Sequence, residues 1–226
     1  NSYAERTWQA GLQADKILRS GGWAHKITYG LDHVRSDITN LYTGLAPLPP
    51  EVFPLKRFPD TRETTSALYV QDESVHGDWS LTPGLRYDHF DTDYRTYDAS
   101  GTTTVTSGVA NKGDDTSEFV TGQLGLVWKP ADNGSVYISY ATSATPPGAT
   151  LGEGTDGNPL TTSTVNNELK PEDTTNYELG TKWDVLDNRL SLTAAVFRTE
   201  KDNARVLTGI NTYENVGTTR VDGLEL

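Results

Sequence analysis

Glu168-Leu169-Lys170-Pro171-Glu172-Asp173 leads into Asn176-Tyr177-Glu178-Leu179-Gly180-Thr181-Lys182-Trp183, and beyond Asp187-Asn188 the chain runs Arg189-Leu190-Ser191-Leu192-Thr193-Ala194-Ala195-Val196-Phe197. Tyr177, Leu179 and Trp183 share one face of the first run, and Glu178, Gly180, Lys182 and Asp184 share the other. Leu190, Leu192, Ala194 and Val196 carry the apolar face onward after the turn. A period of two belongs to a strand, whose successive side chains leave the pleat on opposite sides. Two such runs about Asp187-Asn188 predict a β-hairpin.

The same alternation recurs through the chain. Strands are expected over residues 6–18, 23–43, 64–76, 79–97, 117–130 and 135–144, then the hairpin, then a last strand near the end. Trp23, Ile27, Tyr29 and Leu31 oppose Lys26, Thr28, Gly30 and Asp32; Leu81, Leu85 and Tyr87 oppose Arg86 and Asp88. Short turns are expected at Gly21-Gly22, at Gly77-Asp78 and at Asp132-Asn133-Gly134, where Asn-Gly takes the positive φ that hairpins demand. Long polar loops are expected over residues 44–63, 98–116 and 145–172, with a further loop at 207–214. Gly30, Gly84, Gly122, Gly125 and Gly180 fall inside strands and are read as points of curvature.

Strict alternation of tight turns with long loops is the habit of outer-membrane barrels. Four of the five Trp, namely Trp23, Trp79, Trp128 and Trp183, stand beside the short turns. A Trp ring prefers the membrane–water boundary, where its body is buried and its N–H stays wet. A row of them at one end reads as a membrane-interface girdle. The fold class expected is therefore all-β, part of a transmembrane antiparallel up-and-down barrel. A net charge of -12 and low hydropathy fit it, because a barrel exposes alternate residues to a polar interior.

Leu-Lys-Pro-Glu, Tyr-Glu-Leu-Gly-x-Lys and Asp-Asn-Arg-Leu-Ser-Leu together resemble a barrel hairpin of TonB-dependent siderophore receptors. Asn215-Val216-Gly217 with Val221-Asp222-Gly223-Leu224-Glu225 resembles the strand that follows it there. Ala67-Leu68-Tyr69-Val70-Gln71-Asp72 and Val136-Tyr137-Ile138-Ser139-Tyr140-Ala141 resemble earlier strands of that family, in its order. The resemblance implies a barrel of about 22 strands, of which residues 1–226 supply about nine. The plug domain and the segment that contacts TonB are not expected in this stretch, which begins on Asn1 and ends mid-pattern on Leu226. It implies capture of a ferric siderophore, a catecholate before a hydroxamate, and energised transport through the TonB-ExbB-ExbD complex. It also implies a Gram-negative outer membrane with lipid and lipopolysaccharide around the wall, and no covalently bound cofactor. A partial wall is expected neither to transport nor to fold well by itself. A passive porin-like channel and a soluble carbohydrate-binding sandwich are the rival readings.

A ferric siderophore presents polar oxygens around iron, which aromatic faces and cationic side chains match. Lys56, Arg57 and Phe58 cluster in the first long loop, and Tyr42 and Tyr94 lie near strand ends on the polar parity. These five are the candidate ligand contacts. Other chemistry finds little footing. With no Cys, disulfides, thiolate metal sites and Cys nucleophiles are excluded within the chain. Acidity argues against nucleic acid. Gly152-Glu153-Gly154-Thr155-Asp156-Gly157 fits G-x-G-x-x-G but lacks the strand-to-helix setting of a dinucleotide site. His89, Asp91 and Asp93 could bring three ligands toward one cation, yet they continue an apolar face and read as a solvated rim. Asn133-Gly134-Ser135 matches a glycosylation acceptor but sits in a tight turn. No catalytic constellation stands out, so an enzyme is not expected.

Overall fold

The computed structural model describes residues 2–41, 55–56, 60–95, 104–105, 112–146, 170–209 and 212–226. Its strands are β1 (Ser2–Ser20), β2 (Trp23–Leu41), β3 (Leu55–Lys56), β4 (Asp60–His76), β5 (Trp79–Arg95), β6 (Thr104–Val105) and β7 (Lys112–Ala131). They continue with β8 (Gly134–Thr145), β9 (Glu172–Val185), β10 (Leu190–Asp202), β11 (Arg205–Gly209), β12 (Thr212–Asn215) and β13 (Thr218–Glu225). Nine form one sheet in the order β1-β2-β4-β5-β7-β8-β9-β10-β13, each neighbour antiparallel. β11 and β12 make a small hairpin where a plain loop was expected, and β3 and β6 a short parallel pair.

The register turns the alternation of each strand into two chemically distinct faces. Leu81, Leu126, Ile138, Leu179, Val196 and Leu224 stand in one cross-strand row. Three residues along, on the opposite parity, Asp15, Thr28, Gln71, Gly84, Gln123, Asn176 and Thr199 belong to another row. The apolar face stays open, with Leu68 59%, Leu85 60%, Val120 67% and Leu224 65% exposed. No second sheet or helix of the described residues covers it. A sandwich would bury this face; a single-layer wall in lipid leaves it outward.

The strands are longer than the apolar band. On β5 the band runs from Trp79 through Leu81, Pro83 and Leu85 to Tyr87, roughly 26 Å of strand at about 3.3 Å per residue, close to the ~25 Å band of outer-membrane barrels. Beyond Tyr87 the strand continues to Arg95 with mostly polar residues on both faces, Phe90 being buried. The same polarity hid the facing ends of the two neighbouring strands from sequence reading. Residues 60–63 and 112–116, expected as loop, are the first turns of ladder in β4 and β7.

The short turns form as expected, with one correction. Gly21 and Gly22 take φ of 59° and 84°, Gly77 takes 55°, and Leu186, Asp187 and Asn188 lie at 56°, 54° and 63°. Asn133 and Gly134 do not take positive φ. The ladder instead shifts register between Trp128 and Ala131. Gly134 is required for another reason: a Cβ there would overlap the ring of Trp183. The turns are laced sideways, with Lys129 N donating to Asp78 O at 2.9 Å and Asp184 N to Asn133 O at 2.8 Å.

The curvature reading of the in-strand glycines is also revised. Gly30 is the seat of Tyr69, whose hydroxyl a Cβ would meet at 2.5 Å, and Gly180 is the seat of Tyr137. On the polar face, an aromatic side chain lies flat across the glycine of the next strand.

Candidate ligand-facing wall

The polar face carries a connected patch at mid-height. Gln13, Gly30, Tyr69, Arg86 and Thr121 form one cross-strand row on five strands. Arg86 Nη1 donates to Asp32 Oδ2 at 2.9 Å, and its Nε donates to both Asp88 oxygens at 3.0 and 3.1 Å. The guanidinium also lies 5.8 Å from the centre of the Tyr69 ring. Because Gly30 has no side chain, Tyr69 can lean across it and donate to Gln13 Oε1 at 3.0 Å. Gln123 Nε2 donates to Gln71 Oε1 at 2.8 Å across the gap left by Gly84. Gln13, Asp32, Tyr69, Gln71, Arg86 and Gln123 border an open hollow of about 430 Å³. It offers amide, phenol and guanidinium groups, which suit an oxygen-rich surface.

A second cluster follows on β8, β9 and β10. Tyr137 donates to Glu178 Oε1 at 2.5 Å, and Lys182 Nζ sits 5.5 Å over the Tyr137 ring. Lys201 Nζ pairs with Glu172 Oε2 at 3.1 Å at the loop end.

The sequence candidates fall mostly elsewhere. Tyr42, Arg57 and Phe58 lie outside the described residues. Lys56 is in β3, beside Val105 of β6. Tyr94 stands near the end of β5 between Thr61 and Gly113. The mid-height patch was not nominated, although its parity was read correctly for Asp32, Arg86 and Asp88. Register was the missing signal: only pairing puts Gln13, Tyr69 and Arg86 side by side.

The four Trp stand on the apolar face at the short-turn end. Trp79 and Trp128 stack at 5.7 Å, Trp23 stacks on His76 at 5.1 Å, and Trp183 Nε1 donates to Thr181 Oγ1 at 2.6 Å. Near the loop end the same face carries Tyr87, Tyr140 and Tyr177, the last two 5.3 Å apart. Above them His89 is held by both ring nitrogens, Nδ1 at 3.0 Å from Glu118 and Nε2 at 3.0 Å from Asp91. The Glu118 hydrogen bond raises its pKa above the usual value, against a smaller opposing effect of desolvation, and Asp91 adds to it. Both nitrogens are committed to carboxylates, so His89 is a cross-strand tie here rather than a metal ligand. Among the described residues no group of His, Cys, Asp and Glu is arranged to hold a metal ion.

The family model for the TonB dependent receptor-like β-barrel matches residues 1–226. The chain belongs to the TonB-dependent receptor β-barrel family. This is a family of receptors rather than enzymes, and its members are outer-membrane β-barrels. Among relatives, the probable TonB-dependent siderophore receptor PiuA of Acinetobacter baumannii is 44% identical over 169 residues, covering 75% of this chain and 22% of PiuA. The catecholate siderophore receptor Fiu of Escherichia coli K12 is 36% identical over 179 residues, covering 72% of this chain and 23% of Fiu. The stretches matched in sequence thus span under a quarter of the length of these relatives. The closed crystal form of the ferric-catecholate import receptor Fiu superposes with a TM-score of 0.73 at 27% identity, over 98% of this chain and 35% of that one. The unliganded ferric citrate transporter FecA gives 0.70 at 19% identity, over 98% and 32%, and shares the fold.

Proposed function

We propose that this TonB-dependent receptor wall belongs to an outer-membrane receptor that captures a ferric siderophore and takes it up in an energised step. The observation that carries this reading is the match of the whole chain to the receptor barrel, joined to relatives named as siderophore receptors. Fiu's name favours a catecholate as the cargo. The polar face then lines the interior, and the polar rows of Gln13, Tyr69, Gln71, Arg86 and Gln123 border the space the cargo crosses. Lys56, Arg57, Phe58, Tyr42 and Tyr94, all toward the long-loop end in sequence, are the proposed first contacts outside. Trp23, Trp79, Trp128 and Trp183 form the girdle at the periplasmic boundary, since short turns lie on that side. TonB-ExbB-ExbD would act through a plug outside these residues, and the apolar face meets membrane lipid and lipopolysaccharide. The full barrel would number about 22 strands.

The experiment is uptake of radioactive ferric iron by cells carrying the whole receptor, supplied as a catecholate complex, with and without a proton-motive-force uncoupler. Uptake that collapses with the uncoupler is expected. Uptake indifferent to it would establish the passive channel instead.

A further inference from the structure

On the polar face, toward the long loops, one row leaves a buried side chain unanswered. Pairing aligns Thr7, Ser36, Glu63, Thr92 and Asp115 across β1, β2, β4, β5 and β7. At the β1 end the row satisfies itself: the Thr7 and Ser36 hydroxyls meet at 2.7 Å, and Thr7 Oγ1 stands 3.3 Å from Glu5 Oε1. At β5 it does not. Thr92 is 1% exposed, and its Oγ1 has no hydrogen-bond partner among the described residues. On one side of it Asp115 Oδ2 is buried and equally unpartnered, and on the other side Glu63 Oε1 is buried. A buried oxygen in this state is costly unless a donor or a positive charge meets it.

Charge around the row is one-sided. Asp32 and Asp88 share Arg86, Asp91 and Glu118 share His89, and Asp37 takes Arg35 and Arg62. Above Arg86, the polar face of these five strands carries Glu5, Asp32, Glu63, Asp88 and Asp115 and, among the described residues, no Lys or Arg. Arg35, Arg62, Arg95 and Lys112 all stand on the opposite parity. Glu63 and Asp115 are two strand spacings apart, about 9.6 Å, with Thr92 midway. A cation over Thr92 that bonds oxygen at about 2.3–2.6 Å is within reach of the longer Glu from one side and the shorter Asp from the other. Every donor is an oxygen and the two carboxylates carry two negative charges, which suits a hard divalent cation. Calcium is favoured over magnesium, because these unequal arms do not enforce an octahedron. No third His, Cys, Asp or Glu among the described residues joins them, so water completes the shell and the affinity belongs in the weak range of about 10⁻⁴–10⁻³ M.

We infer that Glu63, Thr92 and Asp115 hold a calcium ion on the polar wall near the long loops. This rests on the receptor reading, in which an anionic ferric catecholate passes this wall and the ion offsets the negative charge it meets there. The test uses the whole receptor in detergent, stripped with a chelator, with radioactive calcium as the probe and equilibrium dialysis as the readout. The wild type is expected to retain one ion more than Asp115→Asn does at millimolar calcium, the variant binding there roughly tenfold more weakly because one charged ligand is lost. Thr92→Val, close in shape to the native residue, should weaken the same ion several-fold, Thr92→Ser should keep it, and Asp93→Asn, on the opposite parity, should change nothing. Each variant is checked as a heat-modifiable monomer, so that loss of the ion is not loss of the fold. Equal retention by the wild type, Asp115→Asn and Thr92→Val overturns the inference. Iron uptake is read separately: energised uptake without the calcium difference removes the site alone, and the calcium difference with uptake indifferent to an uncoupler removes the transport reading alone.

Discussion

Gly180 shows how much one missing methyl group can decide. A Cβ at this position would overlap the Tyr137 ring, which is fixed from its other end by the hydrogen bond to Glu178. Gly180→Ala should therefore destabilise the whole receptor by about 1–3 kcal/mol, the usual range for overpacking. Tyr137→Ala combined with it should recover most of the strain, and denaturant titration of the single and double variants in detergent checks the coupling. His89 makes a prediction in pH. Its folded-state pKa is raised by Glu118 and Asp91, so the stability it contributes is fully present below about pH 6.5 and is lost as pH rises through the folded value. Thermal unfolding of the whole receptor should show a fall from pH 6 to pH 9 that is smaller in His89→Gln. An equal fall in both would remove His89 from the account.

At the scale of the element, the Leu-Lys-Pro-Glu and Asn-Val-Gly signatures turn out to be one structure. Asn215 Oδ1 accepts from Lys170 N at 2.8 Å, and its Nδ2 donates to Asn203 O at 2.6 Å and Lys170 O at 3.2 Å. Asn203, at φ 55°, donates from Nδ2 to Pro171 O at 3.2 Å. Val216 N donates to Ala204 O at 2.9 Å, and Gly217 takes φ 77° to start β13. One amide side chain thus acts as a strand segment, clasping the entry of β9 to the exit of β10. Asn215→Ala removes three bonds at once and should raise proteolysis near Lys170 several-fold, while Asn215→Asp, which keeps the acceptor for Lys170 N, should lie between; unchanged cleavage in both would show the clasp to be dispensable. The clasp also marks the limit of sequence reading. Period and parity gave the strands between Trp79 and Tyr87 or Tyr177 and Trp183, because one face there is apolar. They missed residues 60–63 and 112–116, where both faces are polar, and they could not pair Lys170 with Asn215, since nothing local links residues 45 apart in sequence. For the same reason Arg86 was seen as inward but not as the partner of Asp32.

The whole molecule is a wall with two edges. Among the described residues β1 and β13 each have a single neighbour, so roughly half of the backbone N–H and C=O groups along each face no ladder. In lipid, each such group costs several kcal/mol, and β1 alone is 19 residues long. Packing cannot offset this, because the only buried hydrophobic residues are Ile38, Ala67, Phe90 and Ala195 among those described. Among the described residues neither face is covered by a second layer. Placed in liposomes or detergent as an isolated chain, residues 1–226 should thus give no folded monomer: no heat-modifiable gel band and rapid, uniform proteolysis. The same residues within the whole receptor should show both heat modifiability and protection of β5, β7 and β10. A protease-resistant monomer of the isolated chain, with strand-rich circular dichroism, would mean that its edges are satisfied locally and that wall closure is not what holds the sheet together.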